Sequence, residues 1–126
     1  ALATRYDNLA SLYSEQGRYQ EAEPLFQRAL AIYEKMLGPE HPDTATTLYC
    51  LAYLCQKQGR HEQAESLYQR TLAIYERAFP PDHPSILGIL GHYASLLRAM
   101  NRPREAHALE QRASAVRARR TPGNTP

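Results

Sequence analysis

Asn8-Leu9-Ala10-Ser11-Leu12-Tyr13-Ser14-Glu15-Gln16-Gly17-Arg18-Tyr19-Gln20-Glu21-Ala22-Glu23-Pro24-Leu25-Phe26-Gln27-Arg28-Ala29-Leu30 decides the fold, because much of it is written twice. Leu9-Ala10, Gln16-Gly17-Arg18 and Ala22-Glu23 return 42 residues later as Leu51-Ala52, Gln58-Gly59-Arg60 and Ala64-Glu65. Leu30-Ala31-Ile32-Tyr33-Glu34 returns as Leu72-Ala73-Ile74-Tyr75-Glu76, and His41-Pro42 as His83-Pro84. Between Leu9 and Pro42, 19 of 34 residues are identical to the residue 42 positions on. A fainter third copy keeps Ala94, Leu96, Arg102, Ala106, Leu109, Arg112 and Ala115 in register. A period in this range marks a stacked repeat array, and such arrays present extended binding surfaces.

Each unit reads as two helices. Leu9, Leu12 and Tyr13 recur at helical spacing, and Gln16-Gly17-Arg18 breaks the run with a glycine able to take positive φ. Ala22, Leu25, Phe26, Ala29, Ile32 and Tyr33 then form one apolar stripe at steps of three and four. Pro24 is expected in the first turn or so of that second helix, where a missing N–H costs least. Gly38-Pro39-Glu40-His41-Pro42-Asp43 ends the helix, with Asp43 or Thr44 expected to cap the next one. The pattern predicts helices over 2–16 and 19–37, 43–58 and 61–78, and 84–101 and 103–119. The chain is therefore expected to be all-α, a single array over 1–119 with units of about 2–42, 43–83 and 84–119. Residues 120–126 lack apolar periodicity and are expected to form a disordered tail.

Small residues recur for a packing reason. Ala10, Ala52 and Ala94 on the first helices face Ala22, Ala64 and Ala106 on the second, where the two helices of a pair must approach closely. The third unit replaces Phe26 and Tyr68 by Glu110, Leu30 and Leu72 by Ser114, and Tyr33 and Tyr75 by Arg117. Polar residues there predict a terminal unit with a water-facing outer side.

Composition limits the function. The net charge of +2 gives no argument for nucleic acid. The one local excess, Arg112, Arg117, Arg119 and Arg120, reads first as favourable charge at a helix C-terminus and second as a basic tail for phosphate or membrane. Nine Tyr beside two Phe and no Trp suit half-buried positions with a polar tip in water. Cys50 and Cys55, five residues apart on one helix, point about 140° apart and cannot pair, and free thiols favour a reducing, cytoplasmic setting. No apolar run reaches the length of a membrane span and no signal-peptide pattern opens the chain, which starts inside a predicted helix as a fragment of a longer protein would.

Searching for chemistry returns little. His41-Pro42-Asp43 spells a cochaperone tripeptide, but its counterpart His83-Pro84-Ser85 marks it as linker punctuation. The histidines lack the i, i+4 spacing of a helical zinc pair, the cysteines form no CxxC, and Gly-rich phosphate loops are absent. No enzyme, metal or cofactor is therefore expected.

The residues from Asn8 to Leu30, closed by Leu37-Gly38-Pro39-Glu40-His41-Pro42, resemble the tetratricopeptide repeat, in particular its 42-residue version found in kinesin light chains. The resemblance covers about residues 4–118 and weakens in the third unit, where Asn101 stands at the glycine position. It implies a right-handed superhelix of three antiparallel helix pairs, a non-catalytic scaffold that holds a partner peptide in a concave groove lined by the first helix of each pair. Carried onto this chain, the groove positions are Asp7, Asn8, Ser11 and Ser14, then Tyr49, Cys50, Tyr53, Gln56 and Lys57, then Gly91, His92, Ser95 and Arg98. Tyr49 and Tyr53, one turn apart, offer an aromatic ledge. Lys57, Arg98 and His92 add positive charge, so an acidic, partly apolar segment is the expected partner, with neither nucleic acid nor membrane involved. The carboxylate clamp of chaperone-binding members is absent, since Asp7, Ser11, Cys50, Gly88 and His92 occupy its positions. Of the Asn-Asn pairs usual in kinesin light chains, only Asn8 remains. The alternative function is self-assembly, with the open face of the first helix stacking on another copy to give a homo-oligomer.

Overall fold

The computed structural model describes residues 2–120, and among them every regular element is a helix. In chain order these are α1 (Leu2–Glu15), α2 (Tyr19–Leu37), α3 (Pro42–Lys57), α4 (His61–Ala78), α5 (Pro84–Ala99) and α6 (Pro103–Arg120). The expected tail lies outside the described residues, apart from Arg120, which ends α6.

The turn inside each pair is the same device used three times. Gly17 and Gly59 take φ of 76° and 78°, and Asn101 takes 60°. The residue after each closes back on the helix: Arg18 N–H donates to Tyr13 C=O at 2.8 Å, Arg60 to Cys55 at 2.8 Å, and Arg102 to Leu97 at 2.9 Å. These bonds satisfy carbonyls that a helix end otherwise leaves open. Asn101 keeps the turn because Asn enters the left-handed region more easily than other residues with a Cβ. The third unit thus departs from the pattern in residue type and not in backbone.

The helix starts differ from expectation in one respect. Asp43 and Thr44 do not cap α3. His41 does: its backbone is extended and its Nδ1 accepts from Asp43 N–H at 3.0 Å. His83 does the same for Ser85 N–H at 3.1 Å. Pro42 and Pro84 open these helices, where their missing N–H would have had no helical partner. Thr44 instead sends its hydroxyl back to the Gly38 carbonyl at 2.9 Å, tying the connector to the helix it precedes. Pro24 also lies deeper than expected, five residues past the start of α2. It removes one bond, to Gln20 C=O, on an exposed face where water can replace it, so α2 continues to Leu37.

Helices pack most closely within each pair, then between successive pairs, with α1 touching α3 and α3 touching α5. Ala10, Ala22, Ala52, Ala64 and Ala106 are fully buried and Ala94 nearly so, which lets the helices of a pair approach. Tyr68 is fully buried between the second and third pairs, stacked on Tyr93 at 6.0 Å between ring centroids. Its hydroxyl donates to Gln56 Oε1 at 2.8 Å, so the phenol is buried without an unsatisfied oxygen.

Polar contacts repeat with the period as well. Arg60 reaches back to Glu23 at 2.7 Å, and Arg102 reaches back to Glu65 at 2.8 Å. Arg70 pairs with Glu34 at 2.9 Å, and Arg112 pairs with Glu76. Thr46 and Tyr75 share a hydroxyl hydrogen bond of 2.7 Å, and Thr4 and Tyr33 one of 3.3 Å. Each ion pair of this kind contributes little alone, about 0–1 kcal/mol at the surface. Repeated at fixed register, they select one stacking of unit on unit.

Candidate groove on the inner helices

The inner layer is built by α1, α3 and α5. A cavity of about 410 Å³ opens there, lined by Ser11, Ser14 and Glu15 of α1, Phe26 of α2, Thr46, Tyr49, Cys50 and Tyr53 of α3, and His92 of α5. All three helix pairs therefore contribute a wall.

Tyr49 is the hinge of this arrangement. Its hydroxyl hydrogen-bonds Nδ1 of His92, and that same nitrogen lies 3.0 Å from the Gly88 carbonyl oxygen. A bare Nδ1 accepts from the tyrosine O–H, and a protonated one donates to the carbonyl; either form holds the ring in place. Gly88 has a steric reason to be glycine, since a Cβ there would stand 3.3 Å from the Tyr49 hydroxyl. Burial pushes the Tyr49 phenol well above its ordinary pKa, so it stays a neutral donor. His92 also meets the edge of Tyr53 at 5.8 Å, and the Lys57 ammonium sits 5.2 Å from the Tyr53 ring centroid.

Of the groove residues expected from sequence, Ser11, Ser14, Tyr49, Cys50, Tyr53 and His92 line the cavity together, with Lys57 near its edge over the Tyr53 ring. Gln56 is engaged by Tyr68. Asn8 and Ser95 are exposed on α1 and α5 outside the lining. Arg98 is held by Glu110 of α6, with Nε donating to Oε2 at 3.0 Å, so its charge is shared with the last helix. Phe26, Thr46 and Glu15 also line the cavity, and the sequence did not point to them as groove residues. Phe26 belongs to the buried second-helix stripe and borders the cavity from the layer behind the inner helices. Its counterpart Tyr68 offered no warning, because α3 and α5 close over it.

Asp7 sits beside the groove at the α1–α3 contact and accepts from Thr47 Oγ1 at 3.1 Å through Oδ2. Burial raises its carboxyl above the usual range, and the Thr47 hydrogen bond offsets only part of that rise. A folded-state value above the unfolded one means that Asp7 supports folding while protonated and loses that support as pH rises through the folded value. Asp7→Asn, which keeps the acceptor and removes the charge, is therefore expected to raise the melting temperature at neutral pH. The gain should shrink as pH falls below the ordinary carboxylate range, where both side chains are neutral. Thermal melts of the two proteins from about pH 3 to pH 7 check this. A gain that stays constant with pH would mean burial of the carboxylate is not its cause.

Burial pushes the Cys50 thiol up to about 12, which leaves almost no thiolate at neutral pH. Among the described residues, no group of three or more His, Cys, Asp or Glu is placed to hold a metal ion. No helix among them is long and apolar enough to cross a membrane.

Successive antiparallel helix pairs, an inner layer of first helices and a groove walled by several units define an α-solenoid. The profile of the tetratricopeptide repeat matches residues 1–77 and again 43–119, and the chain belongs to that family. Among solved structures it is similar to the nearly identical TPR-like repeats of a Podosopora anserina putative kinesin light chain, at 30% identity and a TM-score of 0.81, covering 91% of this chain and 55% of that one. It also shares its fold with BtubC (BKLC) from P. vanneervenii, at 22% identity and a TM-score of 0.87, covering 98% of this chain and 49% of that one. The chain thus spans about half the length of each of these two structures.

Proposed function

We propose that the chain is a non-catalytic interaction scaffold, a single continuous array that seats an acidic, partly apolar peptide in its inner groove. The observation that carries this reading is the 410 Å³ cavity, floored by Phe26 and Cys50, walled by Tyr49, Tyr53 and His92, and topped by the Lys57 ammonium. Aromatic side chains already locked by neighbours lose little freedom on binding, which favours affinity. An apolar side chain of the partner fills the cavity, and a neighbouring carboxylate meets Lys57. The groove residues are Asn8, Ser11, Tyr49, Tyr53, Gln56, Lys57, His92, Ser95 and Arg98, with Tyr53 and Lys57 central and Arg98 available only as far as Glu110 releases it. Two free thiols favour a reducing compartment such as the cytoplasm.

The test is selection from a displayed peptide library against the native chain, followed by titration of the selected peptides against a Tyr53→Ala, Lys57→Ala double variant. Peptides pairing acidic with large apolar residues are expected, with affinity at least about tenfold weaker for a variant of unchanged melting temperature. Equal affinity for both proteins would move the site off this groove.

Self-assembly is the second reading, and the exposed Leu2, Leu9 and Leu12 of α1 favour it. Its mark is a particle size that grows with concentration.

A further inference from the structure

Residues 42 apart occupy the same place in successive units, so the two joints between units can be laid over one another. At the second joint Tyr93 of α5 is buried against α4. Its hydroxyl accepts from Gln69 Nε2 at 3.0 Å and donates to Glu65 Oε2 at 3.2 Å. The other carboxylate oxygen, Glu65 Oε1, takes the Arg102 guanidinium at 2.8 Å. At the first joint the same three polar residues recur as Gln27, Glu23 and Arg60, but Leu51 stands in the place of Tyr93.

The room that a phenol would fill is left open there. A cavity of about 340 Å³ lies on the outer face between α2 and α4, lined by Leu30, Leu51, Cys55 and Leu67 together with Glu23 and Gln27. Arg60 meets Glu23 Oε1 at 2.7 Å, as its counterpart meets Glu65. Gln27 Nε2 and Glu23 Oε2, whose counterparts share a hydroxyl, face each other instead at 3.4 Å, beyond the usual range of a hydrogen bond. A hydroxyl between them accepts from one and donates to the other, exchanging one long bond for two ordinary ones. Cys55 stands where the second joint has the larger Leu97, which widens the space. Leu30 is left half-buried, whereas its counterpart Leu72 is buried. Roughly 150 Å³ of apolar cavity is enough to hold a benzene ring. This cavity and the inner groove share no lining residue.

We infer that the outer cavity is a binding site for a para-hydroxyphenyl group, the tyrosine side chain of a partner segment, with its hydroxyl bridging Gln27 and Glu23 and its ring against Leu30, Leu51 and Leu67. The second joint receives the same group as a side chain of the protein itself. Gln63 and Ser66 at the rim are exposed, which leaves a path for the partner's backbone across the outer face. The Arg60 contact fixes the Glu23 carboxylate through Oε1 and leaves Oε2 as the acceptor.

The test follows the methyl NMR signals of Leu30, Leu51 and Leu67 in the full chain while p-cresol or N-acetyl-tyrosine amide is added. Both should shift these signals saturably and with similar affinity. The ether 4-methylanisole keeps the ring but cannot donate to Glu23, and should bind about tenfold more weakly. The Tyr53→Ala, Lys57→Ala variant of the inner groove should give the same shifts as the native chain. Leu51→Tyr supplies the ring from within, and should raise the melting temperature and stop p-cresol from shifting Leu30 and Leu67. Absence of saturable shifts, equal affinity for 4-methylanisole, or loss of the shifts in the groove variant would overturn the inference. So would a folded Leu51→Tyr protein that still takes p-cresol at Leu30 and Leu67. Binding of p-cresol without N-acetyl-tyrosine amide would overturn the tyrosine assignment, by giving the cavity to a small free phenol.

Discussion

Tyr68→Ala is expected to destabilise the whole array and not just its middle unit. The side chain is fully buried, stacked on Tyr93, edge-on to Tyr49, and bonded through its hydroxyl to Gln56. It belongs to α4 but packs against residues of α3 and α5, so its loss weakens two interfaces at once. Truncating a buried aromatic typically costs about 3–5 kcal/mol, a large share of the roughly 5–15 kcal/mol that holds a domain together. In a linear array each unit leans on its neighbours, so the loss is felt by all of them. A urea titration followed by helical signal should show one transition at a much lower midpoint. Tyr68→Phe separates the contributions, since it removes only the hydroxyl and leaves Gln56 to find another partner, at about 0.5–1.5 kcal/mol. If Tyr68→Ala melted in two steps, or as late as the native chain, the picture of units sharing one core would be wrong.

Ala64→Leu is expected to destabilise by about 1–3 kcal/mol, although it adds apolar surface. Ala64 is fully buried where α4 crosses α3, and Ala52 faces it, also fully buried. Three more carbons there can be accommodated only by separating the two helices. Ala73→Leu is the matched control, an exposed alanine on the same helix, where the change should fall within about ±0.5 kcal/mol. Melting curves of the two variants decide the matter. Equal tolerance at both positions would show that the close crossing is not what fixes the alanines.

Both outcomes were largely legible in the order of residues. The glycine turns and apolar stripes placed the helix ends within about two residues, because each signal recurs and the repeats correct one another. The caps were read less well. Asp and Thr are the usual acceptors at a helix start, whereas an imidazole acting through Nδ1 has no strong preference behind it, so His41 passed as punctuation. The groove was legible as a face and not as a pocket. Helical spacing puts Tyr49 and Tyr53 on one side, but it does not reveal that Phe26 borders the cavity from the second layer or that Gly88 clears room for the Tyr49 hydroxyl. Nor does it pair Arg98 with Glu110, since the two lie on different helices and meet only after the turn at Asn101 folds α6 back. Contacts set by the period were foreseeable; contacts set by how far one side chain reaches were not.

The cavity draws its walls from all three units, and this has a mechanical side. A string of helix pairs flexes by small rotations between neighbours, and Ser11, Tyr53 and His92 would drift apart if it straightened. Whatever lodges among them acts as a splint across two joints. The curvature of the filled array should then vary less than that of the empty one, and a pull on its two ends should have to expel the occupant before the coil can lengthen.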